Sequence, residues 1–110
     1  MRDYQCTKNN PYLLPHHLYM RMLYIIRDYE RLKQKAQEAF PESEGFIHKS
    51  AAKEAGAIEN ALTQIPAFYR DAVLENIMAG ERYPVGADER TFRRYKQRYI
   101  YSVAKLLNYI

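Results

Sequence analysis

Residues 14–40 read LPHHLYMRMLYIIRDYERLKQKAQEAF, and the spacing of their apolar side chains decides the fold class. Leu18, Met22, Ile25, Ile26, Tyr29, Leu32, Ala36 and Phe40 recur at steps of three and four, the period that lines one face of an α-helix. Pro15 suits the start of such a helix, where its missing N–H costs nothing, and Pro41 closes it. The spacing predicts one helix over 15–40, roughly 38 Å long at about 1.5 Å per residue. It would be the spine of the domain.

The same period continues down the chain. PESEGFIHKS, residues 41–50, has the Pro, Gly and Ser content of a loop. Ser50 or a neighbour is placed to cap a helix over 50–64, whose stripe is Ala55, Ile58 and Leu62, with Ile65 at its end. Its small residues would let it lie close against a neighbour. Pro66 then starts a helix over 66–79, with Phe68, Ala72, Val73, Ile77 and Met78 on one face. Gly80 is placed to end it in the left-handed conformation. After ERYPVGAD, residues 81–88, Asp88 can cap a last helix over 89–108. Phe92, Tyr95, Tyr99, Val103, Leu106 and Ile110 form its apolar stripe. No stretch alternates in the manner of a strand. The expected fold is all-α: one small four-helix domain over 1–110, with a helix-turn-helix-like C-terminal pair. Residues 1–14 read as a loose N-terminal segment, and 89–110 as a basic amphipathic helix.

Composition narrows the function classes. The 110 residues are 47% hydrophobic and 27% charged, as in a folded globular domain. No apolar run is long enough to span a bilayer, and the first residues lack the apolar core of a signal peptide. One cysteine, Cys6, makes no internal disulfide. Together these point to the cytoplasm and away from membranes. His16 and His17 are adjacent, so they point to different sides of a helix, and His48 lies in the loop. No CxxC, HExxH, glycine-rich phosphate loop or nucleophile motif accompanies them, and paired E-x-x-H motifs of a di-iron bundle are missing. The expectation is a protein that is not an enzyme, with no cofactor and no metal.

Charge is unevenly placed. RTFRRYKQRYIYSVAK, residues 90–105, holds six Arg and Lys, four Tyr and Phe, and no acid. Residues 1–89 hold 11 basic and 13 acidic side chains. Arg90, Arg94, Arg98, Tyr101 and Lys105 step along one helix face, and Arg93 and Lys96 widen it. A solvated helix face normally mixes signs and gains i, i+4 pairs, whereas like charges at that spacing repel. An anionic partner offsets the repulsion. Eleven Tyr and no Trp exceed the hydroxyls that a small core satisfies cheaply. Some of Tyr4, Tyr12, Tyr19, Tyr24, Tyr83, Tyr101 and Tyr109 should therefore be exposed. Exposed Tyr beside Arg suits protein and nucleic-acid surfaces alike.

The order helix, Gly80, loop, Asp88, basic helix has the layout of a helix-turn-helix. In that motif the N-terminal residues of the second helix meet base edges in the major groove, and here those are Arg90, Thr91, Arg93, Arg94 and Gln97. Residues 63–110 also resemble the C-terminal half of small phage and mobile-element transcription regulators of the ArpU/RinA type, which are similar to region 4 of sigma factors. Ile65, Pro66, Tyr69 and Arg70 match the start of the family's first helix. Thr91, Phe92, Arg93, Arg94, Tyr95, Ala104, Lys105 and Leu107 match its recognition helix. The family has a short extra helix where this chain has only residues 81–88. The resemblance implies a DNA-binding transcriptional regulator. The rival expectation is a small phage-encoded inhibitor or adaptor whose Tyr- and Arg-rich surface meets an acidic surface of a nucleic-acid-handling protein, for example a host defence nuclease. A homodimer is compatible with either.

Overall fold

The computed structural model describes residues 5, 7–37, 45–86 and 88–110, with the backbone alone for 45–48. Among them are five helices and no strand: α1 (His16–Arg27), α2 (Tyr29–Gln37), α3 (Gly45–Leu62), α4 (Ala67–Ala79) and α5 (Glu89–Leu106). The fold is all-α, as the periodicity predicts, with one helix more than expected. The expected spine is two helices, because the chain bends at Asp28, where φ is −92° and ψ is 7°. Hydrogen bonding runs through the bend: Asp28 N–H donates to Tyr24 and Ile25 carbonyls, and its own carbonyl accepts from Leu32. The cause is tertiary. Arg27 Nε donates to the Ile77 carbonyl of α4 at 2.8 Å, and the Tyr29 hydroxyl donates to Glu59 Oε2 of α3 at 2.7 Å. Residues on the two sides of the bend are thus drawn to different helices. The Asp28 carboxylate also holds the Arg31 guanidinium one turn on.

α3 starts at Gly45, so Ser50 lies inside it and is no cap. Phe40 and Pro41 fall outside the described residues, as do Tyr4 and Cys6. Ala51, Ala55, Ala57 and Ala61 are buried, which gives α3 the close-packing surface its small residues foreshadow. α2 packs chiefly on α3, and α1 packs on α4 and α5. α5 touches α1, α3 and α4, so it lies at the centre of the arrangement. Met22, Leu23 and Ile26 of α1, Ile58 and Ala61 of α3, Val73 and Ile77 of α4, and Phe92, Tyr99, Ile100, Val103 and Ala104 of α5 form the core.

Two expected stripes shift. On α5, Leu106 and Ile110 are exposed, and Ile100, Ala104 and Leu107 take the buried places. The reason is that α5 is covered on three sides, so its buried sector is wider than one i, i+3, i+4 line. On α4, Phe68 is 80% exposed, while Asn76 is buried and donates from Nδ2 to the Glu81 carbonyl. Tyr99 is fully buried, as its place in the stripe predicts, and its hydroxyl donates to the Ile58 carbonyl of α3 at 3.2 Å.

Val103→Ala removes two methyl groups from a site with no solvent access and is expected to cost roughly 1–3 kcal/mol. Tyr99→Phe keeps the ring and loses one hydrogen bond, so about 0.5–1.5 kcal/mol is expected. Urea unfolding followed by circular dichroism measures both. A Val103→Ala midpoint equal to that of the parent chain would contradict this packing.

Candidate nucleic-acid interface

α5 begins where Asp88 stops the preceding loop. Its carboxylate accepts from Arg90 N–H at 3.0 Å and from the Thr91 hydroxyl at 3.2 Å. Those two bonds, the Arg90 N–H first, hold the Asp88 carboxyl below its ordinary 3.8. The loop before it is pinned by stacking. Tyr83 lies on Phe92 with ring centroids 4.8 Å apart, and burial pushes its hydroxyl up to about 12. Tyr69 of α4 closes the cluster, at 4.9 Å from Phe92 and 4.6 Å from Tyr95. Gly80 has φ 71° and Gly86 φ 85°, left-handed positions that let an eight-residue connection turn sharply. No helix forms among the described residues of 81–88.

The structure separates the eight residues expected to face a partner. Arg90, Arg94 and Lys105 are exposed, and Arg98 is half-buried. These four form a line along α5, spanning roughly 22 Å at 1.5 Å per residue; none makes an ion pair with a carboxylate among the described residues, although the Arg90 charge acts on Asp88. Tyr101 sits in the same line, half-buried, with its ring edge-on to Tyr12 at 5.3 Å. Arg93 is exposed but pairs with Glu89 at 3.0 Å. Glu89 opens α5, so the helix is not single-signed in its first turn. The Thr91 hydroxyl is committed to the Asp88 cap.

Gln97 does not belong to the face. It is buried, and its Nε2 donates at 2.7 Å both to Gln5 Oε1 and to the Tyr12 carbonyl. A carboxamide spent on two internal acceptors is not free to read a base. Lys96, expected to widen the face, is buried too. Lys96 falls in the stripe of Phe92, Tyr99 and Val103, opposite the basic line, whereas Gln97 borders that line. The covering segment at Gln97 is the N-terminal one, which supplies Gln5 and the Tyr12 carbonyl. Gln5 grips Leu14 twice, donating to its carbonyl at 2.7 Å and accepting its N–H at 2.8 Å, and Leu14 is buried. This strap runs beside the basic line.

Of the tyrosines expected outside, Tyr24 and Tyr109 are exposed, Tyr12, Tyr83 and Tyr101 are half-buried, and Tyr19 is buried. Arg82 was missed by counting charge only over 90–110. It is exposed and adjoins the stacked Tyr83, which puts it at the start of α5. Among the described residues no three His, Cys, Asp or Glu side chains gather as metal ligands. No helix among them is long and apolar enough to cross a membrane. No family model matches the chain, and no curated protein or solved structure matches it.

Gln97→Ala strands the Tyr12 carbonyl and takes one of two donors from Gln5 Oε1, and is expected to cost about 1–3 kcal/mol, whereas Arg94→Ala should stay within about 0.5 kcal/mol. Thermal melts compare them. The cap gives a pH signature. A carboxyl with a lowered folded value contributes stability above its unfolded value and loses it as pH falls through the folded one. Asp88→Asn still caps at neutral pH but has no such proton to gain. Its melting temperature should match the parent at pH 7 and fall less between about pH 4 and pH 2. Asp28, also lowered, chiefly by Arg31, acts alike in both chains.

Proposed function

We propose that the protein binds duplex DNA through the outward line of α5 and regulates transcription for a phage or mobile element. The observation that carries this reading is the line itself. Arg90, Arg94, the half-buried Arg98 and Lys105 lie along one line of the helix with no acid between them, while Thr91 is used in the cap, Gln97 inside the molecule and Arg93 on Glu89. Holding four like charges on one face is unfavourable without an anion, and a phosphate backbone supplies anions at regular spacing. With Gln97 turned inward and Thr91 in the cap, base contacts fall to Arg90 and Arg94 near the helix start, where a groove-inserted helix meets base edges. Arg98 and Lys105 would then hold phosphates. The likeness of residues 63–110 to ArpU/RinA-type regulators supports the same assignment.

A second reading rests on a different observation. The Tyr12–Tyr101 pair borders the basic line, and Phe68 stands 80% exposed. Tyr, Phe and Arg together make good protein-binding surfaces, so an inhibitor or adaptor bound to an acidic protein would use the same face.

Titration of duplex DNA over a range of salt concentrations tests the first reading. With Arg98 and Lys105 on phosphates, two neutralised phosphates give a slope of log affinity against log salt of roughly −1.8. Arg98→Ala should reduce the slope by about 1 and weaken all sequences alike. Arg94→Ala should in addition cost about 1–3 kcal/mol of discrimination at one base pair. A folded protein with no duplex binding at low salt would remove the regulator assignment and leave the protein-binding one.

A further inference from the structure

The outer face of α1 carries a pattern that the DNA reading does not use. α1 buries Leu18, Tyr19, Met22, Leu23 and Ile26. Opposite them His17, Arg21, Tyr24 and Asp28 stand in line at steps of three and four, with Met20 and Ile25 on the flanks. These six residues line one shallow groove on the outside of the molecule. Tyr24 is 61% exposed, a large ring left in water at the middle of an ordered helix.

The order of the six is an inverted repeat. His17 stands as far before the midpoint between Met22 and Leu23 as Asp28 stands after it. The same holds for Met20 and Ile25, and for Arg21 and Tyr24. Each pair is chemically complementary: a base with a carboxylate, two apolar side chains, and a guanidinium with an aromatic ring. In a two-fold interface residue i meets residue j of the second copy and j meets i. An inverted repeat of complementary residues is what such an interface requires.

We propose that this face of α1 is a homodimer interface, in which α1 packs antiparallel on α1 of a second copy about an axis between Met22 and Leu23. Arg21 lies on the Tyr24 ring of the other chain, Met20 meets Ile25, and His17 meets Asp28. The groups are available for this. Arg21 is exposed, with its Cζ over its own Tyr109 ring 5.6 Å from the centroid. Asp28 holds Arg31, and a carboxylate has about four acceptor sites, so it takes a further donor. One helix pair buries less than the ~800 Å² per partner of a standard interface, so a dissociation constant of roughly 1–100 µM is expected. The dimer does not depend on what α5 binds.

Sedimentation equilibrium of the full chain tests it, with two variants at the exposed Tyr24. Tyr24→Lys sets a cation opposite Arg21 of the other copy, twice, and should raise the dissociation constant at least ~10-fold. Tyr24→Glu sets a carboxylate there and should leave the dimer intact or tighter. Circular dichroism confirms that both variants fold. A parent chain that stays monomeric at roughly 1 mM overturns the proposal. So does a dimer on which Lys and Glu at position 24 have the same effect, since another surface or another register would then hold it.

Discussion

One face of α5 is buried against three helices at once, and the positions of those helices follow from it. Phe92, Tyr99, Ile100, Val103 and Ala104 leave no solvent between α5 and its neighbours. Tyr99 is the most demanding of these, since its hydroxyl must find an acceptor inside and does so on α3. Interiors are close-packed, so a helix wedged on three sides has little freedom to rotate. Rotation is also what would move Arg94 and Arg98 off the outward line. The same burial that stabilises the fold therefore aims the charges, and the outward face is defined by what the inward face has used up.

The helices were legible because their apolar residues keep a 3.6 period and because Pro15, Pro66, Gly80 and Asp88 punctuate them. Gly80 is left-handed and Asp88 caps α5, both local events that local chemistry dictates. The bend at Asp28 was not legible. The residues around it, Ile26, Arg27, Tyr29 and Glu30, have ordinary helix propensity, and the hydrogen bonds that flank the bend reach partners 30 and 50 residues away. The missing register on α5 has a similar origin. A stripe drawn at steps of three and four gives one line, whereas a helix covered by three others buries a wide sector that takes in Ile100, Ala104 and Leu107.

In the site, exposed arginines were legible from spacing, and the fate of the uncharged polar residues was not. Gln97 reads equally well as a base-reading amide or as an internal clasp. Its choice depends on Gln5 and Tyr12, 92 and 85 residues away, which no helical wheel contains. Arg93 and Glu89 show a smaller version of the same problem: counting from residue 90 omitted the acid that pairs one turn back. Tyr83 looked like a loop tyrosine in water, but its ring is the underside of the α5 start. In each case the property that mattered was who the neighbour is, and sequence spacing supplies that only within one element.

The clasp between Gln97 and Gln5 also orders events during synthesis. α2 and α3 are close in sequence and pack on one another, so they can associate as soon as both have left the ribosome. α1 cannot settle in the same way, because its buried face lies against α4 and α5. Until α5 emerges, the faces of α1, α3 and α4 that pack on it stay uncovered, and the strap has no Gln97 amide to grip. Before that point the α2–α3 pair carries apolar flanks with no cover from α5. Conditions that delay α5 therefore leave those apolar faces open to aggregation.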